Sequence, residues 1–145
     1  MSRLLNDLSS DLQPKAFELL ARLTERGVMV MIVDTLRTPA EHQANLKAGT
    51  SAAKFSRHLP RAMRRFCGSD DPNREKSDAM DVCPYETYAL HGPDKLKWDV
   101  TDAAWKVIGE EAQKLGLVWG GFWKTPHDPG HVELPRAVWD RPTSA

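Results

Sequence analysis

Residues 131–134, His131-Val132-Glu133-Leu134, alternate polar with apolar side chains, and residues 78–82, Asp78-Ala79-Met80-Asp81-Val82, do the same. Successive side chains of a strand point to opposite faces. The first segment therefore buries Val132 and Leu134 and turns His131 and Glu133 the other way. The second buries Met80 and Val82 and leaves Asp81 on the opposite side. As neighbouring strands they place an imidazole and a carboxylate on one shared surface. His58, which closes Ser56-Arg57-His58, adds a second imidazole. Two histidines and one aspartate make a three-ligand set with room for water, the arrangement of a catalytic zinc site and not of a closed structural one.

Outward from these strands, Leu12, Ala16, Leu19, Leu20 and Leu23 recur at helical spacing before Gly27, which predicts a helix over 12–26. Val28 to Val33 is a continuous apolar run and reads as a strand buried on both faces. Thr38-Pro39-Ala40-Glu41 combines an N-cap, a proline at the first helical position and a glutamate at the third, so a short helix follows and ends near Gly49. Val100, Ala103, Ala104, Val107, Ile108, Ala112 and Leu115 form a second amphipathic helix, stopped by Gly116. Short strands at 117–119 and 131–134 flank a Gly-Gly connection. Residues 59–77 gather Arg61, Arg64, Arg65 and Arg74 beside Gly68, Asp70, Asp71 and Pro72, and read as a surface excursion with at most a turn of helix at 60–66. The fold class is α+β, a small, mainly antiparallel sheet with packed helices.

The chain has 145 residues with 20 Lys+Arg against 20 Asp+Glu. One domain is expected, burying about 70% of the surface of its unfolded chain, so no metal is needed merely to hold it folded. Zero formal net charge removes the electrostatic reason to expect nucleic acid or an anionic membrane as partner. No apolar run approaches the roughly 20 residues that span a bilayer. Met1-Ser2-Arg3-Leu4-Leu5-Asn6-Asp7 turns polar too early for a signal peptide, from which a cytoplasmic location is expected. Two cysteines form no disulfide framework.

His127 and His131 have zincin spacing, but Asp128, Pro129 and Gly130 between them break a helix, so the pair is not a zincin fragment. Asp128 can instead fold back beside a metal held by His131, where a hydrolase needs its general base and acid. Arg37, directly after the apolar strand, can stabilise an oxyanion or hold a substrate carboxylate. Blander readings stand beside these. His42 and His91 read as surface residues, and the arginines of 57–65 as a solvated face, with an anionic polymer as the minority option. Cys83 reads as a small buried residue that can also compete as a soft ligand, and Cys67 as an incidental thiol. Trp119 and Trp123 are either core or the wall of a cleft.

Ser56-Arg57-His58-Leu59, Ser77-Asp78-Ala79-Met80-Asp81-Val82, Trp119-Gly120-Gly121-Phe122-Trp123-Lys124 and Asp128-Pro129-Gly130-His131-Val132-Glu133 stand in the order typical of the M15 zinc peptidases, and Arg37-Thr38, Glu41 and Gln43 extend the likeness. Over roughly residues 10 to 135 the chain resembles the VanX and VanY-type peptidases and, most of all, the bacteriophage L-alanyl-D-glutamate endolysins. The resemblance implies a Hedgehog/D-Ala-D-Ala-peptidase-like fold and one Zn2+ held by His58, Asp81 and His131. It implies Asp128 as catalytic acid/base, Arg37 as the group that polarises the scissile carbonyl or binds substrate, and Ser56 as a substrate-orienting residue. Trp123 is assigned to substrate binding. Glu133 reads as the partner that fixes an imidazole tautomer or as a strand-surface salt bridge. The implied activity is hydrolysis of the peptidoglycan stem peptide by a monomer, as an endolysin that waits in the host cytoplasm until lysis. D-alanyl-D-alanine carboxypeptidase or dipeptidase activity is the alternative, and a non-catalytic, zinc-stabilised wall-binding module the reading from another class. One departure stands out. The family's Asp lies seven residues after the first His, whereas His58 and Asp81 are 23 apart, which implies a surface insertion at about 59–76 in a single domain spanning 1–145.

Overall fold

The computed structural model describes residues 2–49, 56–86, 96–124 and 127–136. Helix α1 (Gln13–Glu25) is followed by strand β1 (Val30–Asp34), helix α2 (Pro39–Ala48) and the single turn α3 (Arg61–Arg64). Strand β2 (Ala79–Pro84), helix α4 (Ala103–Lys114), strand β3 (Val118–Trp119) and strand β4 (His131–Glu133) complete the order. The strands form one sheet in the order β1-β2-β4-β3, and every pairing is antiparallel. This is the α+β class expected. Among the described residues no helix is long and apolar enough to cross a membrane.

The apolar periodicities build the core. Ala16, Leu19 and Leu23 of α1 meet Trp105, Ile108 and Ala112 of α4, and both helices cover Met80 and Val82 of β2 and Val132 of β4. Since Met80, Val82 and Val132 face these helices, strand alternation turns Asp81, His131 and Glu133 to the other face. The buried Glu111 of α4 ties the helices together, with Oε1 3.2 Å from Arg26 Nη1 and 3.1 Å from Lys114 Nζ. The α2 start is a full capping box: Thr38 accepts from the Glu41 backbone N–H, Glu41 accepts from that of Thr38, and Gly49 ends the helix with φ +74°.

Two expectations are corrected. The run at 28–33 is not a strand buried on both faces. β1 lies at the sheet edge, where Val30 and Ile32 pack on the core while Met29 and Met31 remain 40% and 42% exposed. An apolar run does not distinguish a central strand from an edge strand with one greasy open side. The arginines of 57–65 are not a solvated face either. Arg57, Arg61 and Arg64 are buried, and the last two converge on the buried Asp78. Arg61 Nη2 donates to Asp78 Oδ1 at 2.6 Å and Arg64 Nη2 to Oδ2 at 2.7 Å, while Ser9 Oγ donates to Oδ1 at 2.6 Å. Burial works against the Asp78 charge, but the Arg61 hydrogen bonds, the Arg64 charge and the Ser9 hydroxyl hold the carboxyl well below its usual range. Backbone bonds from Arg61 N–H to the Lys76 carbonyl and from Ala62 N–H to the Arg74 carbonyl close the segment on itself.

Asp78→Ala leaves two buried guanidinium groups without their shared carboxylate. The expected cost is about 3–5 kcal/mol of folding stability, read by urea unfolding. Deleting residues 60–74 should destabilise comparably, because it strips the cations from a buried carboxylate.

Candidate metal centre and catalytic site

Strand register assembles the site. Asp81 of β2 stands opposite His131 of β4, and a register shift in β1 between Ile32 and Asp34 brings Asp34 opposite Asp81. Three adjacent strands thus present Asp34, Asp81 and His131 in one row. His58 arrives from the turn before α3. Ser56 Oγ accepts from the His58 backbone N–H at 3.2 Å, and the His58 carbonyl accepts from Arg37 N–H at 2.9 Å.

His58, Asp81 and His131 each offer one ligand atom, and these atoms lie within 4.8 Å of one another. His58 Nε2 is 3.1 Å from Asp81 Oδ1 and 3.3 Å from His131 Nδ1, and His131 Nδ1 is 2.9 Å from Asp81 Oδ1. The other ring nitrogens face oxygen acceptors: His58 Nδ1 is 2.8 Å from the Thr35 carbonyl, and His131 Nε2 is 2.7 Å from Glu133 Oε1. Each acceptor calls for a proton on the nitrogen it meets. In neutral rings the lone pairs are then left on His58 Nε2 and His131 Nδ1, the atoms that converge on Asp81. Two imidazole nitrogens and a carboxylate oxygen, with their rings oriented from behind, fit zinc or a similar divalent cation.

Without a cation, a proton occupies the same electrostatic place. Burial opposes a charged His131 ring, but hydrogen bonds to Asp81 and Glu133 outweigh it and push the group up to about 10. Burial likewise opposes the Asp81 charge, and attraction to His58 with the His131 hydrogen bond holds it well below the ordinary carboxylate range.

Asp128 flanks this trio without joining it, with Oδ2 4.0 Å from His131 Nδ1. Burial and the Asp81 charge raise its carboxyl, against the lowering influence of His131, His58 and Arg37. A carboxyl so shifted suits proton transfer near neutrality better than an ordinary surface aspartate does. Its backbone is fixed by its own N–H donating to the Gly120 carbonyl at 3.1 Å and by its carbonyl accepting from His131 N–H at 3.1 Å. A Cβ at Gly120 would run into the Asp128 carbonyl oxygen, so the glycine permits this close approach.

Arg37 is buried, and its Nε and Nη2 both donate to Asp34 Oδ2, at 3.1 and 2.6 Å. Glu133 meets His131 through Oε1 and lies 3.3 Å from Arg57 Nε through Oε2, and since both side chains are buried the strand-surface reading of this salt bridge is corrected. Trp119 packs on the core, with its indole N–H donating to the Pro129 carbonyl at 2.7 Å, whereas the Trp123 ring lies 4.9 Å from that of His131, centroid to centroid.

His42 is a correction: it is 2% exposed and not a surface residue, because it packs beside the buried Arg37, with Nδ1 3.5 Å from Arg37 Nη1. His91 lies outside the described residues. Cys83 is part of the hydrophobic core, and among the described residues neither cysteine joins the metal-binding trio. Asp34 and Arg57 escaped sequence reasoning. A strand bulge leaves no residue signature, and Arg57 carried the signal only of standing next to His58.

Residues 76–134 match the M15 peptidase family model described as D-alanyl-D-alanine carboxypeptidase. The matched segment runs from the start of β2 through β4 and carries Asp81, Asp128 and His131. Among solved structures, the chain is similar to the crystal structure of Serratia marcescens L-Ala D-Glu endopeptidase ChiX. Identity is 22%, coverage 90% of this chain and 83% of that one, and the TM-score 0.56.

Proposed function

We propose that this chain is a zinc-dependent peptidase that cuts the stem peptide of peptidoglycan at the L-alanyl-D-glutamate bond. The observation that carries the reading is the convergence of His58 Nε2, Asp81 Oδ1 and His131 Nδ1, with the Asp128 carboxyl flanking them 4.0 Å from His131 Nδ1. The family match and the likeness to an L-Ala D-Glu endopeptidase support it.

A divalent cation bound by the trio supplies Lewis acidity, lowering the pKa of a water and polarising a carbonyl. Asp128 takes a proton from the attacking water and returns it to the leaving amine, which closes the proton balance of amide hydrolysis. The Arg37 guanidinium, aimed by Asp34, puts positive charge near the carbonyl oxygen as that oxygen gains charge. Trp123 walls the substrate side of His131, and Ser56 supports the turn that presents His58. The same reading makes the chain a phage endolysin, held in the host cytoplasm until the membrane opens and acting there as a monomer.

The family description favours a second reading, a D,D-carboxypeptidase. Mass analysis of digested muropeptides separates the two. Cleavage between L-Ala and D-Glu is expected, and release of free D-Ala or of its dipeptide would replace the endopeptidase with the second reading. Loss of turbidity of permeabilised Gram-negative cells is expected with wild type. Binding to sacculi without clearing would make the chain a wall-binding module.

A further inference from the structure

We infer that Arg57 is a positioning residue for the metal centre, acting through Glu133 on His131; this rests on the metal-site reading above. Arg57 precedes the ligand His58 in the chain, yet its side chain reaches the strand that carries the other histidine. Its Nε lies 3.3 Å from Glu133 Oε2, both side chains being buried, at 2% and 8% exposure. Its Nη2 donates to the carbonyls of Leu134 and Pro135, at 3.1 and 3.3 Å. Its own carbonyl accepts from Asp78 N–H at 3.1 Å. One residue therefore touches the His58 turn, the start of β2 and the far end of β4.

The chemistry of Glu133 gives this clamp its purpose. Its Oε1 holds His131 Nε2 at 2.7 Å, which orients the ring so that Nδ1 faces His58 and Asp81. A buried carboxylate with two oxygens does this steadily only if the second oxygen is also held and its charge compensated. Arg57 sets a compensating charge 3.3 Å from that oxygen, and its planar guanidinium is fixed in direction by the Leu134 and Pro135 carbonyls, where an ammonium would supply charge alone. The two histidines are 73 residues apart in sequence, and Arg57 links the backbone that carries one to the carboxylate that orients the other.

The test uses zinc alone, measured by competition with a chromophoric chelator on wild type, Arg57→Ala, Arg57→Lys and Glu133→Gln. Wild type is expected to bind one zinc. Arg57→Ala and Glu133→Gln should each weaken binding about 10–100-fold, the usual cost of losing an outer partner of a metal ligand. Arg57→Lys should recover only part of the loss. The visible spectrum of the cobalt-substituted protein should change in Arg57→Ala, whereas lost packing elsewhere would leave it as in wild type. Thermal melts of the metal-free proteins report folding separately. Unchanged zinc affinity and an unchanged cobalt spectrum in a folded Arg57→Lys or Arg57→Ala protein would overturn the proposal. Absence of zinc binding in wild type would instead overturn the metal-site reading beneath it.

Discussion

Asp128→Asn is expected to keep zinc and lose turnover, by about 10²–10⁴-fold, the range attributed to a positioned proton-transfer group. The substitution preserves shape and removes the proton acceptor. Asp128 lies 4.0 Å from His131 Nδ1, outside the trio whose ligand atoms converge, so the loss should fall on kcat while metal content stays near one per chain. Elemental analysis and the rate on a defined muropeptide read the two quantities independently. A second signature comes from the raised Asp128 carboxyl, which must be ionised to accept a proton. The acid limb of the wild-type profile should report that ionisation and vanish with the variant. A metal-free Asp128→Asn protein would move Asp128 into the ligand shell, and retained activity would remove it from the chemistry.

His131→Ala is expected to abolish both zinc binding and activity, because it removes one of the three proposed ligands, a loss that should exceed the 10–100-fold cost of losing an outer partner. The same residue sets the pH dependence of the metal-free protein. With His131 pushed up to about 10, the ring holds a proton at neutrality that a cation must expel, so apparent zinc affinity rises with pH. Without metal, the His131 contribution to stability is full below its ordinary value of 6.5 and is lost as pH rises through about 10. The depressed Asp81 works in the opposite sense, contributing above its ordinary 3.8 and losing that contribution in acid. Metal-free wild type should therefore melt highest between these two ordinary values and lower at pH 9. In His131→Ala that alkaline decline should shrink. A decline of equal size in the variant would assign it to other groups.

How far the sequence carried these conclusions depends on the range of the physics involved. The two alternating segments at 78–82 and 131–134 were legible because pleating is local, and the registers Asp81 to His131 and Met80 to Val132 follow once they pair. The capping box at Thr38 and Glu41 was legible for the same reason. The environment of the arginines was not. Whether Arg61 and Arg64 face water or a carboxylate depends on Asp78, 17 and 14 positions away, and composition does not encode that meeting. Asp34 stayed hidden because a one-residue shift in β1 decides which side of the sheet it occupies. The 23-residue gap between His58 and Asp81 read as a surface insertion, and the fold closes that gap with the same buried cations that the sequence suggested were solvated.

The arrangement of donors is most directly tested by diffraction from zinc-soaked crystals at the zinc absorption edge. One anomalous peak is expected, about 2.0–2.2 Å from His58 Nε2, an oxygen of Asp81 and His131 Nδ1, with Asp128 beyond bonding distance. A peak at His131 Nε2, a peak elsewhere on the protein, or no peak at a protein concentration that saturates with zinc would contradict it.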